Sequence, residues 1–270
     1  MAIQNQVILI TGASEGIGAA LAIALAPGNK LVLAARRIEK LQEVAAQVQA
    51  AGGQAHCVAC DVTQQAQCEA LVDEAVRTHG RLDTLVNNAG VSMHAWFEDI
   101  TDLSTFEQLF RVNVMSMVWI THKALPHIKQ SKGLIVGVSS LAGKTGVPAR
   151  TTYCTSKFAM SGFMEALRIE LMGTGVDVCA IFPGVVDTDI RRNGLNAKGQ
   201  RAGVSGLREK GAMTVDQCVA EMVAAMESRK REWVMTAKGR LGLKLKPFVP
   251  GVIDKMARDA LDEQHGGPQH

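Results

Sequence analysis

The residues best suited to chemistry in this sequence are Tyr153 and Lys157, which lie four positions apart. On a helix, that spacing places both side chains on one face. A free tyrosine has a pKa of about 10, which is too high for efficient proton transfer near neutral pH. Because a neighbouring ammonium group favours the phenolate, Lys157 is expected to lower the pKa of Tyr153. Taken alone, the two residues also fit a packed tyrosine and a solvated lysine.

A second feature is a glycine-rich turn between two apolar segments. Gly12, Gly16 and Gly18 follow an apolar run at residues 7–10, typical of a buried strand, and precede a helical segment at residues 19–26. A strand, a glycine turn and a helix N-terminus together present backbone N–H groups to a phosphate. Here Gly12 allows the sharp turn, Gly16 leaves room for a pyrophosphate, and Gly18 allows close helix packing. The spacing differs from the usual dinucleotide fingerprint, so the turn alone also fits a tight strand–helix connection.

The composition limits the class of protein. The chain has 270 residues, and 47% of them are hydrophobic, which suits one large α/β domain with a sizeable core. A formal net charge of +3 is too small to indicate binding of nucleic acid. No apolar run reaches the length needed to span a bilayer. The first residues lack the basic segment of a signal peptide, so a cytoplasmic location is expected.

The six cysteines are scattered and are expected to be reduced thiols. Cys57 and Cys60 form one Cys-x-x-Cys beside His56. A metal site would need a second ligand pair at matching spacing, and the sequence has none. We therefore expect core thiols at this segment and no metal.

Apolar runs and helical periodicity alternate along the chain, which predicts strands joined by helices. The strands are expected at residues 7–10, 30–35, 55–60, 84–86, 134–138, 176–182 and around 233–235. The helices are expected at residues 19–26, 39–50, 65–78, 104–124, 153–172 and 214–226, with Pro126 marking the end of the fourth. Nearly continuous apolar strands are typical of a parallel sheet covered on both faces. The pattern predicts an α/β fold with a doubly wound parallel sheet in three α/β/α layers.

The notable polar and glycine motifs fall at the carboxyl ends of these strands, where such sheets bind their ligands. They are Gly12, Arg36, Asp61, Asn88, Ser140 and Pro183. Residues 1–237 are therefore expected to form one domain with a single shared cleft. Residues 238–270 are expected to be a C-terminal extension.

Six motifs, in this order, resemble the single-domain branch of the short-chain dehydrogenase/reductase family over residues 5–235. They are Thr11-Gly12-x3-Gly16-x-Gly18, Asn87-Asn88-Ala89-Gly90, Asn113, Ser140, Tyr153-x3-Lys157 and Pro183-Gly184. The resemblance implies a Rossmann-like fold and hydride transfer between a nicotinamide cofactor and a ketone or secondary alcohol. The competing hypotheses are a non-catalytic NADP(H)-sensing regulator on the same fold, and an epimerase or dehydratase that shares the Tyr-x3-Lys pair.

The resemblance also implies a role for each candidate active-site residue. Tyr153 transfers the proton, and Lys157 tunes its pKa and holds the hydroxyl groups of the nicotinamide ribose. Ser140 binds and polarises the substrate oxygen, with the neighbouring Ser139 as an alternative. Asn113 supports a water that relays protons to Lys157, or is a satisfied buried amide.

The end of the second strand predicts which nicotinamide cofactor binds. An acidic residue there would accept hydrogen bonds from the adenosine ribose. This chain has Arg36 and Arg37 instead, and two guanidinium groups suit a 2′-phosphate. NADP(H) is therefore expected rather than NAD(H), although Glu15 adds an opposing charge. Further cofactor contacts are expected from Ser14, Ile17, Asp61, Val62, Asn88, Gly90, Pro183, Gly184, Val186 and Thr188.

Contacts with a small-molecule carbonyl or alcohol substrate are expected from loops around the active site. Residues 141–152 and 189–211 are two such loops, and the second has the glycines and charges of a mobile lid. Methionine and aromatic residues in a third loop predict an apolar pocket and a bulky or lipid-like substrate, unless they merely pack the loop. The expected substrate residues are Met93, Trp96, Phe97, Ser140 and Tyr153.

The extension mixes cations with leucine, phenylalanine and valine, and is loosely similar to the extensions of family members that act on steroids or retinoids. It is expected to cover the substrate pocket or contact another subunit, with peripheral contact to an anionic membrane as the alternative. Its glycines and prolines argue against a regular amphipathic helix. The resemblance further implies a homodimer or homotetramer formed through the helices at residues 104–124 and 153–172.

Overall fold

The computed structural model describes residues 3–203 and 211–259, which form a parallel sheet of seven strands flanked by helices. The strands are β1 (Val7–Thr11), β2 (Lys30–Ala35), β3 (Gln54–Ala59), β4 (Thr84–Asn87), β5 (Leu134–Val138), β6 (Asp177–Phe182) and β7 (Glu232–Val234). Their spatial order is β3-β2-β1-β4-β5-β6-β7, and all neighbours run parallel. The predicted doubly wound sheet is confirmed, and every strand boundary lies within one residue of its expected position.

Helices cover both faces of the sheet. They are α1 (Gly16–Ala24), α2 (Ile38–Ala50), α3 (Gln65–His79), α4 (Ser104–Phe110), α5 (Ser116–Ser131), α6 (Thr151–Glu170), α7 (Val215–Glu227), α8 (Ala237–Leu245) and α9 (Pro250–Asp259). One apolar cluster joins α1, α2 and α7 to one face, and a second joins α3, α5 and α6 to the other. Within β1, Ile8 and Ile10 belong to the first cluster, whereas Val7 and Leu9 belong to the second. This alternation explains why the strands read as continuous apolar runs.

The helical region after β4 differs from its prediction. A π-helical turn, Arg111–Met115, separates α4 from α5. Pro126 lies inside α5, which continues to Ser131 and ends where Lys132 takes a left-handed conformation with φ of 50°. The prediction that Pro126 ends the helix is therefore wrong. A proline removes one helical hydrogen bond, but the helix continues because residues beyond it, such as Ile128, are fully buried against the sheet.

The C-terminal extension forms the helices α8 and α9, although its glycines and prolines were expected to argue against a regular amphipathic helix. Pro250 is the first residue of α9, where its missing N–H has no helical partner to lose. At the start of α8, Thr236 acts as the cap, because its hydroxyl accepts a hydrogen bond from the N–H of Gly239 (3.0 Å). Residues 260–270, and residues 204–210 of the expected lid, lie outside the described residues. None of the helices in the described ranges combines the length and apolarity needed to cross a membrane.

The turns that follow β1 and β4 are held together by hydrogen bonds. Asn88 Nδ2 donates to the carbonyl oxygens of Thr11 (2.9 Å) and Gly12 (3.2 Å). In return, Thr11 Oγ1 accepts from the backbone N–H groups of Asn88 (3.1 Å) and Ala89 (3.0 Å). The start of α1 packs onto this junction, since a β-carbon at Gly18 would lie 2.2 Å from the Gly12 oxygen and 2.5 Å from Asn88 Nδ2. Close packing therefore requires glycine at position 18.

Replacing Gly18 by alanine is expected to lower the free energy of unfolding by about 1–3 kcal/mol, because the added methyl group overlaps backbone atoms. Urea denaturation followed by circular dichroism measures the change. Gly162→Ala is the matched control, since Gly162 also lies in a helix but a β-carbon there meets nothing within 4 Å. The free energy of unfolding of the control is expected to rise by about 0.5–1 kcal/mol, because alanine has a higher helix propensity than glycine. Equal stability of the two variants would contradict the packing argument.

Candidate functional site

A cavity of about 1310 Å³ opens at the carboxyl edge of the sheet. Its walls come from the start of α1, the ends of β4, β5 and β6, the first half of α6, and the helices α7, α8 and α9. The structure thus brings distant parts of the chain to one cleft. The predicted site residues that line it are Ile17, Asn88, Gly90, Ser140, Tyr153, Lys157, Pro183, Gly184, Val186 and Thr188.

Tyr153 and Lys157 lie on the buried face of the first turns of α6. Their exposed fractions are 7% and 3%, and Lys157 Nζ lies 5.7 Å from the centre of the tyrosine ring. Nζ donates a hydrogen bond to the carbonyl oxygen of Val138 at the end of β5 (3.0 Å). Burial lowers the pKa of Lys157 to about 8. The lysine charge therefore titrates much closer to neutral pH than that of an ordinary lysine.

Burial also raises the pKa of the Tyr153 phenol. The guanidinium of Arg150, whose Cζ lies 5.0 Å from the ring centre, and the hydroxyl of Ser140 partly oppose this rise. The direction is opposite to the one expected from the sequence, because desolvation outweighs the nearby charge. Sequence reasoning missed Arg150 as an individual residue. The available signal was a cation three positions before the tyrosine, at the start of a helix.

The two neighbouring serines at the end of β5 both line the cavity but have different hydrogen-bond partners. Ser139 Oγ donates to the carbonyl oxygen of Lys157 (3.1 Å) and so fastens the strand to α6. Ser140 lies beside Tyr153, and its Oγ accepts a hydrogen bond from the N–H of Ala142 (3.2 Å). Of the two, Ser140 is therefore the serine whose hydroxyl is placed next to the phenol.

Asn113 lies in the π-helical turn and is fully buried. Its Nδ2 donates to the carbonyl oxygen of Val91 (3.0 Å) and to Ser156 Oγ (2.9 Å), while its Oδ1 accepts from the N–H of Val91 (2.8 Å). A β-carbon at Gly90 would lie 3.3 Å from Asn113 Oδ1 and 3.6 Å from Lys157 Nζ. The amide therefore joins the loop after β4 to α6 beside the lysine. Its role in a proton relay stays a prediction.

The glycine turn has the backbone conformation that its residues predict. Gly12 and Gly16 have φ of 65° and 57°, in the left-handed region that favours glycine. Beside the turn, Arg37 forms an ion pair with Glu15, with 2.6 Å between Nη2 and Oε2. Arg36 is exposed at the end of β2, and none of the residues the structure describes forms an ion pair with it. The carboxylate expected to oppose a phosphate is thus neutralised by one of the two arginines.

Other predicted cofactor residues take positions around this turn. Asp61 Oδ1 accepts hydrogen bonds from the N–H (3.0 Å) and Oγ1 (2.9 Å) of Thr63, which shapes the turn after β3. Val62 packs against the apolar cluster beneath α3. Thr188 approaches the glycine turn, since a β-carbon at Gly16 would lie 3.8 Å from its Cγ2. Eight of the expected cofactor residues lie outside the described lining of the cavity, and their contacts stay predictions: Gly12, Ser14, Gly16, Gly18, Arg36, Arg37, Asp61 and Val62.

The loop after β4 does not form the expected apolar pocket. Met93 is buried in a small cluster with Tyr153, and Phe97 is 58% exposed and packs edge-on against Phe106. Neither these two residues nor Trp96 belongs to the described lining of the cavity. Met93 and Phe97 pack the loop instead, and contact of Met93, Trp96 and Phe97 with substrate stays a prediction. The apolar wall is formed by Leu141, Val147, Val185, Val186, Leu243, Ile253 and Met256.

The Cys-x-x-Cys segment is explained by packing. Cys57 lies in β3, and the buried Cys60 contacts Cys68 of α3. His56 Nε2 pairs with Glu74 Oε1 (3.0 Å). Over the described ranges, no three His, Cys, Asp or Glu side chains are grouped as metal ligands would be.

Replacing Lys157 by methionine is expected to stabilise the unliganded protein at neutral pH by about 1–3 kcal/mol. The folded pKa of about 8 lies below the unfolded value, so a charged Lys157 destabilises the fold fully below about pH 8. The gain should shrink as the pH rises towards the unfolded pKa of about 10.4, where the folded lysine is already neutral.

Urea denaturation of the lysine variant at pH 7 and at pH 9.5 measures this difference. Lys123→Met is the matched control, because Lys123 lies near the surface and pairs with Asp73 (2.7 Å). A Lys157 variant that is less stable than the parent at pH 7 would contradict the expected cost of burial.

Comparisons with known proteins identify the family. The family model described as short chain dehydrogenase matches residues 6–198. The 11-beta-hydroxysteroid dehydrogenase-like 4A of Arabidopsis thaliana is 41% identical over 187 residues, which cover 68% of this chain and 62% of the relative. The matched part of the chain thus spans less than two thirds of that relative. The dehydrogenase/reductase SDR family protein 7-like of Dictyostelium discoideum is 33% identical over 259 residues, which cover 93% of this chain and 80% of the relative.

A solved structure extends the similarity to the fold. The alcohol dehydrogenase from the archaeon Thermococcus sibiricus, complexed with 5-hydroxy-NADP, matches with a TM-score of 0.73 and 25% sequence identity. The match covers 85% of this chain and 95% of that one. Because the family model alone covers well over half of the residues, the chain belongs to the short-chain dehydrogenase/reductase family of oxidoreductases.

Proposed function

We propose that this protein is an NADP(H)-dependent oxidoreductase that interconverts a ketone and a secondary alcohol. The observation that carries the proposal is the meeting of Tyr153, Lys157 and Ser140 at one cavity, which is also lined by Ile17 at the start of α1 and by Asn88 and Gly90 after β4. A proton donor, a cation and a hydroxyl that binds oxygen are the groups that carbonyl reduction requires from the protein. A pure nucleotide sensor would need none of these three residues.

The glycine turn and its surroundings fit a dinucleotide. A β-carbon at Gly12 would lie 2.9 Å from the Cα of Ala89, so only glycine allows the turn after β1 to approach the loop after β4 this closely. When bound, a nicotinamide cofactor supplies or accepts the hydride. The residues proposed to hold it are Gly12, Ser14, Gly16, Ile17, Gly18, Arg36, Arg37, Asp61, Val62, Asn88, Gly90, Tyr153, Lys157, Pro183, Gly184, Val186 and Thr188.

The proposed division of work among the side chains follows from their positions. Ser140 orients the substrate oxygen next to the phenol, and Tyr153 gives its proton to that oxygen as negative charge develops there. Lys157 places a positive charge within 5.7 Å of the same ring. Asn113 holds α6 and the loop after β4 in register. In the direction of oxidation, the proton returns to Tyr153.

The substrate is proposed to be apolar or lipid-like. The wall of the cavity beyond Tyr153 includes Leu141, Val147, Leu243 and Ile253, which suit an aliphatic surface. The name of the Arabidopsis relative, which is hydroxysteroid dehydrogenase-like, points the same way. The sequence suggested such a substrate through Met93, Trp96 and Phe97. The proposal rests instead on the apolar residues that line the cavity.

The C-terminal extension is proposed to complete the substrate end of the cavity. Residues of α8 and α9 contribute to its lining, and Gly239 approaches Leu141 so closely that a β-carbon would lie 3.3 Å from it. On the outer side, Leu241 and Phe248 are 59% and 82% exposed. Peripheral membrane contact through this surface stays a prediction, as does assembly into a homodimer or homotetramer through α5 and α6.

Replacing Tyr153 by phenylalanine is expected to lower turnover of a ketone with NADPH by at least about a hundredfold, because the proton donor is lost. NADPH binding, measured by quenching of tryptophan fluorescence, should change by less than about threefold, since the ring remains. A screen of apolar ketones that follows NADPH absorbance identifies the substrate. Full activity of the variant would refute the assignment, and binding without turnover in the parent would favour the sensor hypothesis.

Replacing Arg36 by alanine is expected to weaken NADPH binding about tenfold and to leave NADH binding within about twofold, because only NADPH carries the 2′-phosphate. Arg37→Ala is the matched comparison. Its effect should be smaller, because Arg37 is already engaged by Glu15. Fluorescence titrations with both nucleotides make the measurement. Equal affinities of the parent for NADPH and NADH would contradict the proposed cofactor preference.

A further inference from the structure

Arg150 is a buried cation with no role in the reaction proposed above. It directly precedes α6, is 7% exposed and lies in the lining of the cavity. Its Nη2 donates to Ser92 Oγ (2.7 Å), and its Cζ lies 5.0 Å from the centre of the Tyr153 ring. Its Nε is buried and has no hydrogen-bond partner in the structure. The guanidinium thus packs on the aromatic face of the candidate proton donor.

This position is costly for a cation. Burial lowers the pKa of Arg150, and no carboxylate among the described residues pairs with it. It also lies at the N-terminus of a 20-residue helix, where the helix dipole disfavours positive charge. The preceding residue, Ala149, has a φ of 56°, a conformation that non-glycine residues rarely adopt. Backbone strain and desolvation at one point are typical of functional sites.

The free-energy cost of burying the Arg150 guanidinium is offset when an anion forms beside it. We propose that Arg150 is a positioning residue for Tyr153, and that its guanidinium stabilises the phenolate left when Tyr153 gives its proton to the substrate oxygen. In that step the cofactor would supply the hydride for the new C–H bond while the carbonyl π electrons move to oxygen, the phenol O–H bond breaks, and the proton forms the alcohol O–H bond. The phenolate then regains a proton from solvent. The inference rests on the proposed role of Tyr153.

In the unliganded protein, Lys157 alone does not supply a lasting positive charge beside the phenolate. Its Nζ is farther from the ring centre, at 5.7 Å, and donates to the Val138 oxygen. With a pKa of about 8, it loses its charge at mildly alkaline pH. A guanidinium keeps its charge over that range. Arg150 is therefore the cation that lies nearer to the ring and that keeps its charge at mildly alkaline pH.

The other groups that face the phenol act in both directions. Ser140 at the end of β5 and Arg191 in the segment after β6 favour the phenolate. Cys154, the next residue of α6, disfavours it. Lys157, which loses its charge within the pH range of the titration, also remains in an Arg150 variant. The difference between the Tyr153 titrations of parent and variant therefore reports on Arg150.

Tyr153 is the only tyrosine of the chain, which makes a direct test feasible. Expression with 3,5-difluorotyrosine places one fluorinated phenol in the protein, and the fluorines lower its intrinsic pKa into a range where the protein stays folded. Fluorine NMR from about pH 6 to about pH 10 then follows a single resonance. Arg150→Met is expected to lower the acid dissociation constant of this phenol about tenfold or more. Arg150→Lys, which keeps a positive charge, should restore most of it.

Arg111→Met is the matched control. Arg111 also lies over an aromatic ring, with its Cζ 6.0 Å from the centre of the Trp119 ring, but that ring does not ionise. Its replacement should leave the titration unchanged. Circular dichroism establishes that each variant is folded, and removal of an unpaired buried cation is not expected to unfold the protein.

The outcomes separate this inference from the proposed function. Equal midpoints in the parent and in Arg150→Met would overturn it, as would a phenol that stays protonated up to about pH 10 in both. The titration needs neither cofactor nor substrate. A shifted midpoint in a protein that turns over no ketone would therefore support the inference while the proposed function fails, and unshifted midpoints in an active enzyme would do the reverse.

Discussion

Lys157 carries an ammonium group into the interior, and its position depends on the hydrogen bond from Nζ to the carbonyl oxygen of Val138. That oxygen lies at the carboxyl end of a central strand. Ser139 completes the junction from the other side, because its Oγ donates to the carbonyl oxygen of Lys157 itself. These two bonds fasten α6 to β5. Ser140 follows directly and lines the cavity beside Tyr153.

The loop after β4 is fixed to the same helix by a buried amide. Asn113 bonds both backbone groups of Val91 and also Ser156, whose Oγ donates to the carbonyl oxygen of Tyr153 (2.8 Å). The π-helical turn is the local irregularity that holds this amide, as such turns often do at functional sites. Gly90 fits between the amide and Lys157 because it has no side chain. Each candidate catalytic group is therefore held by contacts from at least two elements.

The sheet could be predicted from the sequence, because strands buried on both faces consist almost entirely of apolar residues. The order of polar residues at strand ends likewise predicted the shared cleft. What it could not show was which way a side chain faces when tertiary packing decides. Met93 and Phe97 looked like a pocket wall, yet their contacts pack the loop. Local rules failed at Pro126, where burial of the rest of α5 outweighs one lost hydrogen bond.

The two ends of the cavity come from different parts of the chain. One end is lined by Ile17, Asn88 and Gly90, all within the stretch that the family model matches, residues 6–198. The other end is lined by α8 and α9, which lie beyond that stretch. Family membership therefore bears on the cofactor and the chemistry, whereas under the proposed function substrate choice depends on α8 and α9, outside the matched stretch. Arg150 lies in the matched region and contacts both the Tyr153 ring and Ser92. A charge at that position acts on the proton donor whichever substrate the C-terminal helices admit.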